Sequence, residues 1–490
     1  MTQTVSPPVD DVLAAVPRGL FIDGAWVESG DGAVIDVVDP ATEQVVASVA
    51  SATVEDGLAA VEAAQRALPA WAKMPPRERG EILRRAFELM TARAEELALL
   101  DVVENGKTLV DARGEVAYAA EFFRWYAEEA VRLHGTVQTA PNGGNRILTL
   151  RQPIGVAVLV TPWNFPLAMA TRKIGPALAA GCTVVLKPAS ETPLSALAIA
   201  RILEEAGVPA GVVNVVSSKR SGAVVGAMVD DPRVRKLSFT GSTEVGRVLL
   251  ERAARTVVSC AMELGGNAPF LVFDDADLDA AVDGAMIAKM RNGGEACTAA
   301  NRFYVQAGIA RDFTEAFAAR MSALSIGPGH HDGVDLGPLV NAESRDKVAA
   351  LVADAQQTGA RTVTGGQAPQ RTGFFYEPTV LGEVPGNAAL LREEIFGPVA
   401  PVVTFTEEAE AVAAANDTEF GLVSYVYTGD LARGLRVSEA LDSGMVGLNR
   451  GVVSDPAAPF GGTKQSGLGR EGGHEGMLEF TEEKYVATDW

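Results

Sequence analysis

The chain has 490 residues, 47% of them hydrophobic, with no uninterrupted apolar run of about 18 residues; that suits roughly three soluble globular domains and excludes a helical membrane span. A formal net charge of −21 repels phosphate backbones and anionic lipid surfaces, so neither nucleic acid nor membrane is an expected partner, and an anionic substrate must find its cations inside the pocket. Three cysteines form neither a disulfide framework nor a closed zinc site, and the four histidines lack ligand spacing, so a reducing, cytoplasmic address and no metal are expected.

In chain order, residues 1–18 have neither the basic start nor the apolar core of a secretory signal and read as a flexible tail. Short strands follow over 20–49, broken at Asp23-Gly24, Gly30-Asp31-Gly32 and Asp39-Pro40. Residues 53–71, 76–104 and 115–133 carry apolar side chains at helical spacing, and their charges read as solvated faces. After a polar turn at 140–145, residues 146–151 alternate as a strand does. Apolar runs at 155–160, 183–187 and 212–216 alternate with helices at 167–180 and 193–206, the second with Thr192 as N-cap and Pro193 at its first position. Strands buried on both faces and separated by helices predict a parallel, doubly wound α/β sheet, which binds ligands beyond the carboxyl ends of its strands. Trp163, Asn164, Lys187 and Ser190 all fall at that edge. A strand at 234–239, the turn Thr240-Gly241-Ser242 and a helix over 243–254 offer free N–H groups suited to a phosphate. From 268 the alternation resumes with a strand at 270–273, a helix into 292, and further elements at 303–305, 312–324, 344–359, 399–405 and 407–416, a second α/β unit. The stretch 479–490 reads as a C-terminal strand able to pair with another subunit.

Cys297 stands in Arg-Asn-Gly-Gly-Glu-Ala-Cys-Thr, a small polar loop where a thiol is not walled off by apolar side chains, whereas Cys182 and Cys260 sit in apolar runs and read as core. Local context leaves Cys297 open between nucleophile and packing residue. No histidine lies near it, so a base would be a carboxylate. Glu263, in Met-Glu-Leu-Gly-Gly, is the candidate: held among apolar groups its pKa would rise into the range of a general base, while the alternative is an edge-strand carboxylate facing water. Gly467, Gly469 and Gly472 spell Gly-x-Gly-x-x-Gly, but no strand leads in and no helix follows, so they are not read as a dinucleotide fingerprint.

Seven ordered stretches together resemble the aldehyde dehydrogenase superfamily across essentially the whole chain: Thr-Pro-Trp-Asn-Phe-Pro (161–166), Lys-Pro-Ala-Ser-Glu-Thr-Pro (187–193), Phe-Thr-Gly-Ser-Thr-Glu-Val-Gly (239–246), Met-Glu-Leu-Gly-Gly (262–266), the Cys297 loop, Glu-Glu-Ile-Phe-Gly-Pro-Val (393–399) and Pro-Phe-Gly-Gly (459–462). The resemblance implies a Rossmann-like cofactor domain (19–133 and 151–264), an α/β catalytic domain (265–450) and a small β oligomerisation flap (134–150 with 479–490) that builds a homodimer or homotetramer. It implies Cys297 as nucleophile, Glu263 as general base and Asn164 with the Cys297 N–H as oxyanion hole, with no metal. Trp163, Asn164, Lys187, Pro188, Ala189, Ser190, Gly241, Ser242, Leu264, Glu394 and Phe396 are implied cofactor contacts. Within the superfamily the chain looks most like the succinate-semialdehyde branch, because Arg172, Arg291 and Ser454 match the residues that hold a distal carboxylate there; glutarate semialdehyde and other ω-carboxy aldehydes are the alternatives. Ala299 stands where some animal members carry a second, redox-active cysteine, so that switch is expected to be absent. Ser190, in place of the glutamate common in NAD-using relatives, favours NADP over NAD, with the Lys219-Arg220 pair within reach; Glu191 argues the other way. A non-catalytic relative of the same fold and an acylating coenzyme A-dependent enzyme are disfavoured by the presence of Cys297, Glu263 and Asn164.

Overall fold

The computed structural model describes residues 8–489, so residues 1–7 of the expected tail and Trp490 lie outside the described residues. The remainder of that tail is ordered: Val9–Ala15 is a helix, α1, with Val12 and Leu13 buried against the rest of the core. Val9, Val12, Leu13 and Val16 recur at helical spacing, and that apolar stripe outweighs the flanking prolines.

Strands β1 (Leu20–Ile22), β2 (Ala25–Val27), β3 (Val34–Asp39) and β4 (Gln44–Ala50) precede helices α2 (Val54–Lys73), α3 (Pro76–Ala92), α4 (Ala94–Asn105) and α5 (Leu109–Glu129). After β5 (Thr136–Thr139) and β6 (Arg146–Pro153) come β7 (Val156–Val160), α6 (Pro166–Ala180), β8 (Thr183–Lys187), α7 (Pro193–Glu205), β9 (Val213–Val215), α8 (Ser221–Asp230), β10 (Val234–Thr240), α9 (Thr243–Ala253) and β11 (Ser259–Glu263). The first sheet runs β2-β1-β9-β8-β7-β10-β11, with β7 to β11 parallel. Its two faces follow from strand alternation: Ala157, Leu159, Val184 and Leu186 pack with α3 to α7, while Val156, Val158, Val160 and Val185 pack with α2, α8 and α9. The fold is therefore α/β and doubly wound, and the strand order reverses between β7 and β10, where such sheets bind ligands.

A second sheet holds β12 (Ala268–Val272) and β13 (Ala300–Gln306), which flank α10 (Leu278–Met290). It continues through α11 (Ala310–Ser322), α12 (Ala342–Gln357), β14 (Arg361–Thr364), β15 (Thr379–Gly382), β16 (Val399–Phe405), α13 (Glu408–Asn416), β17 (Phe420–Gly421), β18 (Val423–Tyr427), α14 (Leu431–Ala440) and β19 (Met445–Leu448). Its order is β14-β15-β16-β13-β12-β18-β19, parallel apart from the β14–β15 pair. The chain then returns: β20 (Thr463–Lys464) pairs with β17, and β21 (Gly467–Leu468) lies antiparallel to β11, so Gly467 belongs to an edge strand of the first sheet. A short helix, α15 (Glu475–Leu478), leads to β22 (Thr481–Thr488), which pairs along the length of β6, itself paired with β5.

Two sequence expectations need correction. Asp101, Glu104, Lys107 and Glu115 are buried, although the charges of this helical block read as solvated. Thr192 occupies the N-cap position of α7, but its hydroxyl donates to the Trp163 carbonyl; the first N–H groups of the helix, on Leu194 and Ser195, are accepted by Glu104 at 2.7 and 2.8 Å. A carboxylate from another helix supplies the cap and suits the positive end of the dipole.

Candidate active site

The loops after β7, β10 and β11 meet the Cys297 loop and the 394–396 segment around a cavity of about 520 Å³. Trp163, Asn164, Gly241, Ser242, Leu264, Cys297, Glu394 and Phe396 line it, so eight of the residues singled out from sequence come together there. Lys187, Pro188, Ala189 and Ser190 belong to the segment that leads into Glu191, which does line the cavity. Arg172, Arg291, Ser454 and Glu263 stand outside that lining.

The close approach of two loops sets the thiol's place. Asn292 and Gly293 adopt left-handed φ values of 54° and 62°, a turn that stops α10 and swings the chain back toward the first sheet. Gly266 lets the β11 loop through, since a Cβ there would lie 2.4 Å from the Cys297 carbonyl oxygen. The Tyr425 hydroxyl donates to the Thr298 carbonyl at 2.8 Å and fixes the downstream side. Burial pushes the Cys297 thiol up to about 12, with Arg172 and Arg291 acting in the opposite direction. The Cys297 N–H finds no acceptor among the described residues. Asn164 donates through Nδ2 to the Glu295 carbonyl at 3.0 Å, which leaves the second amide hydrogen available.

Glu263 ends β11 and is 3% exposed, which rules out a carboxylate facing water. Burial and the nearby Glu471 raise its pKa well above the carboxylate range, against Arg172, Lys173 and Arg470. One of its oxygens has no hydrogen-bond partner among the described residues. Glu394 accepts from the Gly266 N–H at 3.2 Å, and burial brings its carboxyl up to about 7.

The two arginines differ. Arg172 is buried in α6, 2.5 Å from Glu471 and stacked 4.3 Å from the centre of the Phe460 ring. It is therefore no helix-surface charge. Arg291 lies over Phe165 at 4.8 Å and Tyr118 at 5.8 Å and makes no ion pair among the described residues. Ser454, in the loop before Phe460, is partly exposed and makes no hydrogen bond among the described residues. Sequence reasoning missed Glu471 and Lys173, which form a buried ion pair with each other beside Glu263.

The donor set fits a dinucleotide at the sheet's switch point. The Lys187 ammonium is buried, has no ion pair among the described residues and is brought down to about 8 by that burial. The buried Thr240 hydroxyl has no hydrogen-bond partner among the described residues, and the Trp163 and Phe396 rings stand edge-to-face at 5.3 Å. Cations and hydroxyls lacking partners at this edge are what ribose and phosphate groups satisfy. Ser190 donates to the Ser218 carbonyl at 3.3 Å, which puts the 216–220 loop at the same end, although Arg220 is paired with Asp31. Among the described residues no cluster of His, Cys, Asp and Glu could hold a metal ion, and no helix is long and apolar enough to cross a membrane.

A doubly wound sheet whose ligand crevice is lined by a thiol, with unpartnered donors suited to a dinucleotide among the described residues, fits a dinucleotide-dependent oxidoreductase. The chain belongs to the aldehyde dehydrogenase family, whose pattern matches residues 26–486. It is 58% identical over 441 residues to a succinate-semialdehyde dehydrogenase of Paenarthrobacter nicotinovorans, covering 90% of this chain and 98% of that one. It is 51% identical over 466 residues to a glutarate-semialdehyde dehydrogenase of Pseudomonas aeruginosa, covering 95% and 96%. The crystal structure of an Escherichia coli NADP-dependent enzyme superposes with a TM-score of 0.96 at 50% identity, covering 97% of this chain and 98% of that one.

Proposed function

We infer that this enzyme oxidises succinate semialdehyde to succinate, with NADP preferred to NAD. The observation that carries the substrate is a cation facing aromatic walls next to the thiol: Arg291 over Phe165 and Tyr118, with its charge felt at Cys297. A terminal carboxylate on a short aldehyde would pair with it while the carbonyl reaches Cys297. The relative at 58% identity carries that activity in its name.

In this reading the Cys297 thiol releases its proton to water in the open crevice, and the thiolate attacks the aldehyde carbon. The Cys297 N–H and the second hydrogen of the Asn164 amide hold the oxyanion; losing one such donor costs about 2.7–4 kcal/mol. A nicotinamide, when bound, would supply the hydride acceptor, and Cys297 would then carry the acyl group as a thioester. Glu263, whose raised pKa suits a base, takes a proton from the water that releases the acid. Lys187, Ser190, Gly241, Ser242 and Glu394 would hold the dinucleotide. The first sheet and its helices (19–133 and 151–264) would serve as cofactor domain and 265–450 as catalytic domain. The flap of β5, β6 and β22 has edges at β5 and β22 that are unpaired among the described residues, and its strands are exposed, which supports a homodimer or homotetramer. A cytoplasmic location accords with free cysteines.

The relative named for glutarate semialdehyde supports a second reading in which the aldehyde is one carbon longer. A panel of three- to six-carbon aldehydes, with and without a terminal carboxylate, against both cofactors tests both. Succinate semialdehyde with NADP should give the highest kcat/KM. A higher value for glutarate semialdehyde would transfer the assignment, and equal values for butanal would overturn the carboxylate reading.

A further inference from the structure

Asn164 is held by a buried charge cluster that the chemistry above does not use. Lys107, in the turn between α4 and α5, has a side chain 1% exposed; its ammonium donates to Glu115 and to the Asn164 carbonyl at 2.9 Å and forms an ion pair with Asp101 at 3.2 Å. The Asn292 amide donates to the same carbonyl at 3.0 Å and to the Glu295 carbonyl at 3.1 Å. Glu115 reaches past Lys107 and accepts from the Leu167 and Ala168 N–H groups at 2.8 and 3.1 Å, in the first turn of α6. Asn164 is thereby clamped from both sides: by Lys107 and Glu115 from the helical block, and by Asn292 from the turn that feeds Cys297.

We propose that Lys107, braced by Glu115, is a positioning residue that sets Asn164 for the oxyanion, acting through the Asn164 main-chain carbonyl. Stability alone is a poor reason for the cluster, since well-packed apolar residues often replace buried ion groups at no loss. An ammonium does what an apolar side chain cannot: it ties one backbone oxygen to a carboxylate that fixes the next helix. Its site is also the place where an error is costly, because displacing a reacting group by about 1 Å can slow chemistry by about 100-fold. The proposal rests on the assignment of Asn164 as oxyanion donor, and the experiment separates the two.

Holoenzyme carrying Lys107→Met, Asn164→Ala or both is followed in the first turnover by rapid mixing, with Lys107→Arg as the conservative variant. Alkylation of Cys297 by iodoacetamide is the control, because that displacement builds no oxyanion. Lys107→Met should slow the first hydride transfer about 10- to 100-fold, leave alkylation within about twofold, and be partly rescued by Lys107→Arg. In the Asn164→Ala background the same change should cost less than about threefold, as for two residues acting through one group. An equal loss in both backgrounds, or a parallel loss of alkylation, would overturn the proposal. A normal first turnover in Asn164→Ala would instead remove Asn164 from the oxyanion role, and the proposal with it. If Lys107→Met does not fold, Glu115→Gln runs the same cycle: it keeps an oxygen for the α6 N–H groups and removes the charge facing Lys107.

Discussion

Replacing Arg291 with methionine isolates a charge that makes no ion pair among the described residues. The apolar stem is retained, so packing on Phe165 and Tyr118 survives in part, and the stability cost is limited to two cation–π contacts of about 0.5–1 kcal/mol each. Recognition should lose more. Truncating one partner of a buried charged pair costs roughly 2–4 kcal/mol, or about 30- to 900-fold in kcat/KM for succinate semialdehyde. Butanal, which has no carboxylate, should change less than about threefold. Arg172→Met is the contrast: it removes one of the two cations paired with buried Glu471 and leaves Lys173 as its ion partner, so it should lower the melting temperature measurably and slow both aldehydes. Steady-state kinetics on the two aldehydes, with melting temperatures for both variants, decides the matter. Equal losses of kcat/KM on succinate semialdehyde and butanal in Arg291→Met would refute the argument that this cation reads the carboxylate.

Glu263→Gln should leave the first hydride transfer within about threefold while steady-state turnover falls about 100-fold or more, giving a burst followed by a slow phase. Because Glu263 acts as a base only when ionised and its pKa is raised, wild-type turnover should climb with pH through that raised value; a glutamine variant that climbs equally would remove Glu263 from the step. Glu295 is buried, with its carboxyl brought up to about 8, so the stability it contributes is present below the ordinary carboxylate pKa and lost as pH rises through about 8. Glu295→Gln should therefore melt close to wild type at pH 5 and clearly above it at pH 9, and an unchanged difference between the two would contradict the burial argument. Ser190→Glu should shift the kcat/KM ratio from NADP toward NAD by placing a carboxylate at the end of the crevice where Ser190 meets the 216–220 loop; a wild-type preference for NAD would show that Ser190 is misread.

Much of the frame was legible because it rests on periodicity. The runs at 155–160 and 183–187 are strands whose alternate residues serve different helical layers, and the loops after such strands hold Trp163, Asn164 and Gly241 at the crevice for the same reason. The return of β21 to the edge of β11 was not legible, because a two-residue strand carries no period and its pairing depends on contacts more than 190 residues upstream.

The buried charges failed to show for a different reason. Residues 97–105 of α4 are all buried, and Asp101 and Glu104 sit there among leucines and valines with no polar face to occupy. That absence of a polar face was a usable signal: a carboxyl inside an apolar run is stable only when something pairs with it. What the signal could not supply was the partner. Glu104 finds the amides of α7 some 90 residues on, Glu115 finds those of α6 more than 50 residues on, and Glu471 finds Arg172 and Lys173 across nearly 300. Each pairing exists only after the sheet has brought its helices together. Buried charges with nowhere to be solvated therefore point to a site that another element must complete, and in this chain Lys107 meets the Asn164 carbonyl while Glu471 lies beside Glu263.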